Sequence, residues 1–358
     1  MGKPRLTFFC ELKAEELRAV FSSPSLFEDL TALEAGISLG ILELSQVRAN
    51  VVRQLNERGI PVIAWLLLPE DQGYWFNLDN ATQAKAFYQE FIEWTLDNEL
   101  QWAGVGFDIE PDIRELQKVT DQWWQLLPTV FWRIFDGGRL RRGQQTYTDL
   151  VRQVQLDGYL VESYQLPVML DERMIGSSLI QKVAGLVDLR VDREVLMIYT
   201  SALRPYGPGV LWNYARECSP NESGYRIRHS TRRSRFEGVT AIGVGSTGGG
   251  VDIDLVDTRP LDWVEFGRDL RFAWNWCDDI YIFSLEGCVQ QGYLSRLKEF
   301  YWEGPLLYPT QQSRLVGRWR RFLRSILWVS AHPFVVLFGL VGGVWLLARL
   351  RRLASTGE

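Results

Sequence analysis

Histidine is nearly absent from this chain of 358 residues, which contains only His229 and His332. With so few histidines, neither a metal site built on imidazoles nor a Ser-His-Asp triad is favoured. The four cysteines are far apart and form no CxxC pair, so neither a zinc site nor a disulfide framework is indicated. Any catalysis is therefore expected to depend on carboxylates.

Several other signals are also missing. No apolar stretch of signal-peptide length lies near the N-terminus, so no export signal is expected. The formal net charge is only -5, which provides no overall field for binding nucleic acid, and we expect no nucleic-acid partner. The glycine-rich segment 243–250 lacks the lysine of a phosphate loop and matches no dinucleotide fingerprint, and we predict no cofactor.

Short apolar runs do recur, and amphipathic stretches of helical length separate them. We predict eight strands, at 6–12, 37–44, 61–68, 104–110, 159–166, 195–200, 240–246 and 280–285. We predict helices at 47–58, 81–98, 174–188, 263–276 and 289–301, and a long helix with a turn at Gly137-Gly138 within 117–150. Eight alternating units indicate an α/β fold, a (β/α)8 TIM barrel formed by residues 1–304.

The C-terminal segment 325–348 carries no formal charge, and arginines flank it on both sides. Its length and the tryptophans near its ends, Trp328 and Trp345, predict a single transmembrane helix. Residues 305–324 then form a basic juxtamembrane linker and residues 349–358 a short basic tail. Because more arginines precede the span than follow it, we expect the barrel on the cytoplasmic side of the membrane. The alternative is a buried core helix, although such helices rarely run this long without an acid.

A second basic segment, 216–235, interrupts the barrel pattern between the sixth and seventh predicted strands. It begins with Arg216 and also contains Arg226, Arg228, Arg232, Arg233 and Arg235. A solvated loop explains them, and contact with anionic lipid head groups is the alternative.

The most informative segment is 102–112, a predicted buried strand that ends in two acids, Asp108 and Glu110. Side chains alternate along a strand, so these two acids point the same way while Phe107 and Ile109 pack on the other face. In a barrel of this type, acids at the C-terminal end of a strand line the mouth, where catalysis takes place. The simpler interpretation is a strand that ends in a polar loop.

Other polar residues fall at predicted strand ends in the same way. Glu11 ends the first strand, and the remaining candidates for substrate contact at strand ends are Glu43, Gln165, Tyr199 and Glu286. Trp65 and Trp75 provide rings on which a sugar can stack, although core packing explains a tryptophan equally well. A pocket with paired carboxylates and aromatic rings suits cleavage of a glycosidic bond. Glu110 is the candidate general acid, and Asp108 is close enough to perturb its pKa.

These residues resemble a known family. Residues 104–110, GVGFDIE, resemble the second half of the DxxDxDxE motif of glycoside hydrolase family 18, the chitinase-like barrels. The resemblance implies that Glu110 is the general acid and that Asp108 assists a substrate N-acetyl group acting as internal nucleophile. Met197-Ile198-Tyr199 resembles the Met-x-Tyr of the family's sixth strand, which implies that the Tyr199 hydroxyl supports the same intermediate.

The chain also departs from the family pattern. Ala103 and Gly106 occupy the positions of the first two Asp residues, and Thr200 replaces the Asp that usually follows the tyrosine. The last strand ends in Ser-Leu-Glu instead of the family's tryptophan.

Three hypotheses follow from these observations. The first is a membrane-anchored glycoside hydrolase-like barrel that acts on a glycan, with an N-acetylated glycan as one option. The second is a catalytically inactive barrel that binds carbohydrate or serves as a scaffold at the membrane. The third is a divalent metal ion held by oxygen atoms of Glu43, Asp108, Glu110 and Glu286.

Overall fold

A computed structural model of the protein describes residues 3–218, 239–250 and 259–335. Eight parallel strands close into one barrel, each strand pairing with the next and the last with the first. The strands are β1 (Arg5–Cys10), β2 (Gly36–Ile41), β3 (Val62–Leu66), β4 (Gly104–Ile109), β5 (Val161–Gln165), β6 (Arg193–Met197), β7 (Val239–Gly245) and β8 (Asp279–Phe283). The predicted α/β TIM barrel is confirmed.

Helices cover the outside of the barrel. In chain order they are α1 (Ala14–Val20), α2 (Pro24–Ala32), α3 (Gln46–Glu57), α4 (Ala81–Asp97), α5 (Ile113–Phe135), α6 (Gly137–Leu156), α7 (Val168–Ile175), α8 (Leu179–Ala184), α9 (Gly207–Ala215), α10 (Trp263–Trp274), α11 (Leu285–Gln290), α12 (Tyr293–Lys298) and α13 (Thr310–Ala331). Short 3-10 turns lie at Glu70–Gln72 and Arg216–Cys218.

Two predicted helices are each divided in the structure. The segment 174–188 contains the end of α7 and all of α8 instead of one helix, and 289–301 spans parts of α11 and α12. At the first break, the Glu172 carboxylate in α7 accepts the backbone N–H groups of Ile180, at 2.5 Å, and Gln181, at 3.2 Å. Since the first N–H groups of a helix have no intrahelical partner, this contact lets α8 start anew.

The alternation of side chains along the strands creates two cores. On β4, Val105, Phe107 and Ile109 point outward and pack under the helices. The inward residues of the barrel form a separate cluster that includes Phe9, Trp65 and several other large side chains. This arrangement explains why the strands are apolar on both faces and why their inward residues meet inside the barrel.

Polar side chains also occupy the barrel interior. The buried Glu162 carboxylate accepts hydrogen bonds from Tyr281, at 2.7 Å, and from Arg193, at 2.6 Å. The Tyr164 hydroxyl shares a 2.7 Å hydrogen bond with Ser38 on the far side of the barrel. The interior is therefore a filled core instead of a pore.

The C-terminal helix α13 packs against α7 and α9. Arg320 of α13 is buried and contacts Asp171 of α7 at 2.8 Å, and Arg324 contacts the same carboxylate at 2.6 Å. Most of the segment that we predicted as a juxtamembrane linker, 305–324, is thus the first part of a helix docked on the barrel.

The predicted membrane location is wrong. Within residues 3–218, 239–250 and 259–335, no helix combines the length and the apolar character that crossing a bilayer requires. The helix that enters the predicted span is α13, and its arginines interrupt its apolar surface. The predicted cytoplasmic placement of the barrel was based on this span and therefore loses its basis. Residues 336–348 of the span and the tail 349–358 lie outside the described residues, as do Arg226, Arg228, Arg232, Arg233 and Arg235.

Candidate active site

The end of β4 carries the two acids of the candidate site. Asp108 lies in the strand and points into the barrel with 2 % of its surface exposed, and Glu110 follows just past the strand end. The loop after β3 returns to pair with this end, where the Phe76 backbone N–H donates to the Asp108 carbonyl oxygen at 2.8 Å. Backbone pairing on both sides thus fixes the position from which both carboxyl groups extend.

The Asp108 carboxylate is only partly satisfied by the described residues. The indole Nε1 of Trp65 on β3 donates to Oδ2 at 3.2 Å. Its Oδ1 is buried and receives no well-aligned hydrogen bond from the described residues, although the carboxyl group of Glu110 is close enough for a hydrogen bond with Asp108. Burial raises the pKa of Asp108 well above its usual value, and the negative charges of Glu110 and Glu11 raise it further.

Glu110 has the environment of a proton donor. Burial raises the pKa of its carboxyl group to about 7, and the interaction with Asp108 limits the shift. A glutamic acid with this pKa is partly protonated at neutral pH, which a general acid requires. The residue as a whole is partly exposed at the end of β4.

Tyr199 belongs to the same site. It lies two residues beyond the end of β6, and its ring stacks on that of Phe283 with centroids 5.3 Å apart. Burial raises the pKa of Tyr199, and the charges of Asp108, Glu110 and Glu11 add to the effect, which shows that these groups are electrostatic neighbours. Its hydroxyl therefore keeps its proton and can donate a hydrogen bond.

Aromatic rings form the floor beneath these polar groups. Trp65 is 3 % exposed, and its ring lies 5.1 Å from Phe9 and 6.4 Å from Phe283 between centroids. Phe283 is the last residue of β8 and places an aromatic ring near the strand end that lacks the tryptophan of glycoside hydrolase family 18. The sequence analysis missed Phe283, although its alternation with the inward Tyr281 could have identified it.

Trp75 and Glu11 are linked through Tyr74. Trp75 is buried and packs edge-on against the Tyr74 ring at 5.4 Å. The Tyr74 hydroxyl donates to Glu11 Oε1 at 2.5 Å, which connects the loop after β3 to the end of β1. Glu11 and Tyr74 therefore lie at the mouth, and Trp75 packs beside Tyr74 in the same cluster of side chains.

Glu286 lies on the opposite side of the mouth from β4, in the first turn of α11 after β8. The residue is 4 % exposed, and the Ser284 hydroxyl and the backbone N–H of Glu11 lie close enough to its carboxylate to favour the charged form. Burial raises its pKa to about 7.

Two predicted contact residues are engaged elsewhere. Glu43 forms a 2.8 Å salt bridge with the fully buried Arg48, which also donates to the carbonyl oxygens of Gly40 and Leu12. Gln165 points toward the helices, where its Nε2 donates to the Val187 carbonyl oxygen at 3.0 Å. Among the described residues, no group of three or more His, Cys, Asp or Glu side chains is arranged to hold a metal ion, so the metal hypothesis gains no support.

Packing explains why glycine stands at position 106, where the family 18 motif has an aspartate. A Cβ atom at this inward position of β4 would overlap the Tyr164 hydroxyl oxygen and the ring carbon that bears it. Tyr164 is fully buried and is fixed by its hydrogen bond to Ser38. The space that an aspartate would need at position 106 is therefore filled by a tyrosine from β5.

Two surface cavities lie away from this site. One, of about 170 Å³, is bordered by Arg5 and Trp302 near the start of β1. The other, of about 350 Å³, lies between Phe21, Phe27 and Arg58 on the outer helices. Neither cavity is lined by the carboxylates at the barrel mouth, which are the candidate catalytic groups.

Comparisons with known proteins provide no family assignment. No protein-family model matches the chain, and no curated protein matches its sequence. Among solved structures, an uncharacterized B. cereus protein shares 11% identity at a TM-score of 0.37, covering 81% of this chain and 65% of its own. D-allulose 3-epimerase from Methylomonas sp. shares 9% identity at a TM-score of 0.39, and the match covers 89% of this chain and 99% of the epimerase. ScGas2, solved with a bound compound, shares 12% identity at a TM-score of 0.33, and the match covers 78% of this chain and 55% of ScGas2. The barrel assignment rests on the strand topology.

Proposed function

We propose that this barrel is a glycoside hydrolase-like enzyme that cleaves a glycan, with Glu110 as its general acid. The observation that carries the proposal is the pair at the end of β4, in which a carboxyl group with a pKa of about 7 lies beside a buried aspartate. Two carboxyl groups with different surroundings are the usual basis for glycosidic bond cleavage.

The resemblance to glycoside hydrolase family 18 supplies the rest of the proposed reaction. The carbonyl oxygen of a substrate N-acetyl group attacks the anomeric carbon while Glu110 gives its proton to the departing glycosidic oxygen. Asp108 Oδ1 accepts the N–H of that N-acetyl group, and Tyr199 donates to its oxygen. Water, deprotonated by Glu110, then attacks the same carbon and releases the sugar, which restores the acid.

The aromatic floor fits this role. Trp65 holds one oxygen of Asp108 and presents its ring beneath the acids, next to Phe283. Flat aromatic rings at the base of a pocket give a sugar ring an apolar surface, while the carboxylates above bind its polar groups.

A carbohydrate-binding barrel without catalytic activity is the second candidate. The observation that favours it is Gly106, because the tyrosine that fills its place removes the acid that would support Asp108 in the related motif. Such a protein would bind the same glycan without cleaving it.

The test is hydrolysis of fluorogenic glycosides, including N-acetylglucosaminides, by the full chain and by Glu110→Gln. We expect the variant to lose activity by about 100-fold or more, because general acid catalysis contributes about 10²–10⁴-fold. The matched control is Glu70→Gln, which removes an exposed acid from the loop after β3 and should leave the rate within about twofold of the wild type. A wild-type protein that binds glycans without cleaving them supports the second candidate, and one that does neither contradicts both.

A further inference from the structure

The buried Asp108 carboxylate receives its well-aligned hydrogen bond from another strand. The indole Nε1–H of Trp65 on β3 donates to Oδ2 at 3.2 Å. Another buried acid of the barrel interior, Glu162, is instead paired with Arg193 at 2.6 Å. A neutral N–H group stabilises a carboxylate less than a guanidinium does, but it fixes the direction in which the carboxylate points. The partner of Asp108 is thus suited to orienting this acid without neutralising it.

Packing fixes the direction of the Trp65 N–H group. The centroid of its ring lies 5.1 Å from that of Phe9, 6.1 Å from that of Tyr164 and 6.4 Å from that of Phe283. The residue is 3 % exposed, and a side chain enclosed on several sides keeps one rotamer. An indole N–H group is a donor only, so the oxygen atom that it faces, Oδ2 of Asp108, acts as an acceptor.

The strand register explains why a neighbouring strand provides this contact. Trp65 on β3 is paired with Gly106 on β4, and Asp108 is the next inward residue of β4. The inward positions of β4 before Asp108 are both glycines, Gly104 and Gly106. The hydroxyl end of Tyr164 fills the space beside Gly106. Since β4 itself has no side chain beneath Asp108, the support for this acid comes from β3.

The other groups that interact electrostatically with Asp108 are acids and phenols. Glu110 follows on the same strand, and its carboxyl group is close enough for a hydrogen bond with Asp108. The remaining groups come from four other elements, and they are Glu11 at the end of β1, Tyr74 in the loop after β3, Tyr164 on β5 and Tyr199 after β6. Because ionisation of both carboxyl groups would place two negative charges side by side, Asp108 and Glu110 share a proton.

We propose that Trp65 is a positioning residue that decides where this shared proton lies. Its N–H group holds Oδ2 of Asp108 as an acceptor, so the proton is left to Oδ1 and to Glu110. A donor also favours the charged form of a carboxylate, which moves the proton from Asp108 toward Glu110. The inference rests on the proposed function, in which Glu110 delivers the proton and Oδ1 accepts the N-acetyl N–H. Trp65 influences this step only through Asp108.

The experiment follows the protonation of Asp108 without any substrate. The full chain, isotopically labelled at the carboxyl carbons of aspartate, is titrated by NMR, and the Asp108 signal is identified by its loss in Asp108→Asn. Trp65→Phe keeps an aromatic ring against its neighbours but removes the N–H group. We expect the titration midpoint of Asp108 to rise by about one pH unit, because the carboxylate loses the donor that favours its charged form.

Two further proteins separate the hydrogen bond from the packing. Replacing Trp65 with benzothienylalanine retains the double ring with sulfur in place of the N–H group, so it should give the same rise. It also provides a second variant if Trp65→Phe fails to fold. Trp75→Phe is the matched control, because it removes an indole of the same cluster that packs on Tyr74, and it should leave the midpoint unchanged. Thermal unfolding checks the fold of each protein.

The outcomes of the titration are distinct. A rise in both proteins changed at position 65, without one in Trp75→Phe, supports the inference. An unchanged midpoint after the changes at position 65, or an equal rise in Trp75→Phe, overturns it.

Hydrolysis of glycosides tests the proposed function separately. If the wild type is active, the alkaline fall of kcat/KM should move to higher pH in Trp65→Phe, because the acid pair then keeps its last proton longer. Its plateau should drop, because less of the shared proton lies on Glu110. A fall that stays in place overturns the inference and leaves the proposed function standing. If the wild type is inactive, the proposed function fails, whereas the titration still decides whether Trp65 places the proton.

Discussion

At the scale of single residues, Asp108 and Glu110 have different surroundings although they are only two positions apart. Asp108 is buried inside the strand and held by Trp65, whereas Glu110 lies past the strand end and remains partly exposed. Both pKa values rise, mainly through burial, but Glu110 as a residue is partly exposed whereas Asp108 is buried. This difference supports the proposal that Glu110 donates the proton.

The assignment predicts the pH dependence of the reaction. A general acid must be protonated in the free enzyme, and the pKa of Glu110 is about 7. We therefore expect kcat/KM to fall above about pH 7, approaching about tenfold per pH unit as the carboxyl group loses its proton. The measurement is kcat/KM from about pH 5 to about pH 9. A profile that stays level to the alkaline end would show that another group donates the proton.

At the scale of elements, β4 depends on its neighbour β5. Gly106 leaves space for Tyr164, and the two strands are in register with Gly106 opposite Glu162 and Asp108 opposite Tyr164. The sequence motif alone showed that an acid was missing at position 106. It did not show which side chain occupied the space, because that residue comes from another strand.

This packing predicts a coupled effect on stability. Gly106→Ala should lower the free energy of unfolding by about 1–3 kcal/mol, as expected when a methyl group is forced into a filled core. In a Tyr164→Leu background the same substitution should cost much less, because the hydroxyl and the ring carbon that it would meet are gone. Urea unfolding of the four proteins in this double-mutant cycle measures the coupling. Equal costs in the two backgrounds would rule out the contact.

The strands themselves were predictable from the sequence, because each is a short apolar run bounded by polar residues. All eight predicted runs overlap the observed strands, and β4 begins at the predicted residue, Gly104. The division of 174–188 into two helices was not predictable, because it depends on the contact between the Glu172 carboxylate and backbone groups eight and nine residues later. Apolar periodicity does not report such contacts.

At the scale of the whole molecule, α13 completes the outer layer of the barrel. Its buried Arg320 reaches Asp171, which also accepts a 2.5 Å hydrogen bond from Tyr214 of α9. Asp171 and Arg320 are 149 residues apart in the chain, so no local pattern could identify them as partners. For this reason the basic segment before residue 325 was interpreted as a linker, although much of it is part of the folded domain.

The docking of α13 gives a prediction for global stability. Asp171→Asn should lower the free energy of unfolding by about 3 kcal/mol, because it leaves the buried Arg320 without its main counter-charge. Arg318→Gln removes an exposed charge from the same helix and should change stability by less than about 0.5 kcal/mol. Denaturant unfolding of the full chain measures both. A negligible effect of Asp171→Asn would mean that this ion pair does not hold α13 on the barrel.

The central claim, that Glu110 donates a proton to the departing glycosidic oxygen, has one most direct test. It compares kcat/KM of the wild type and Glu110→Gln on two substrates with the same sugar, an activated nitrophenyl glycoside and the unactivated oligosaccharide. A nitrophenolate leaves without being protonated, whereas the glycosidic oxygen of the oligosaccharide needs a proton. We therefore expect the loss of kcat/KM in the variant to be about 100-fold or more greater on the oligosaccharide than on the nitrophenyl glycoside. Equal losses on both substrates would contradict the claim, because they would show that Glu110 acts on some other step.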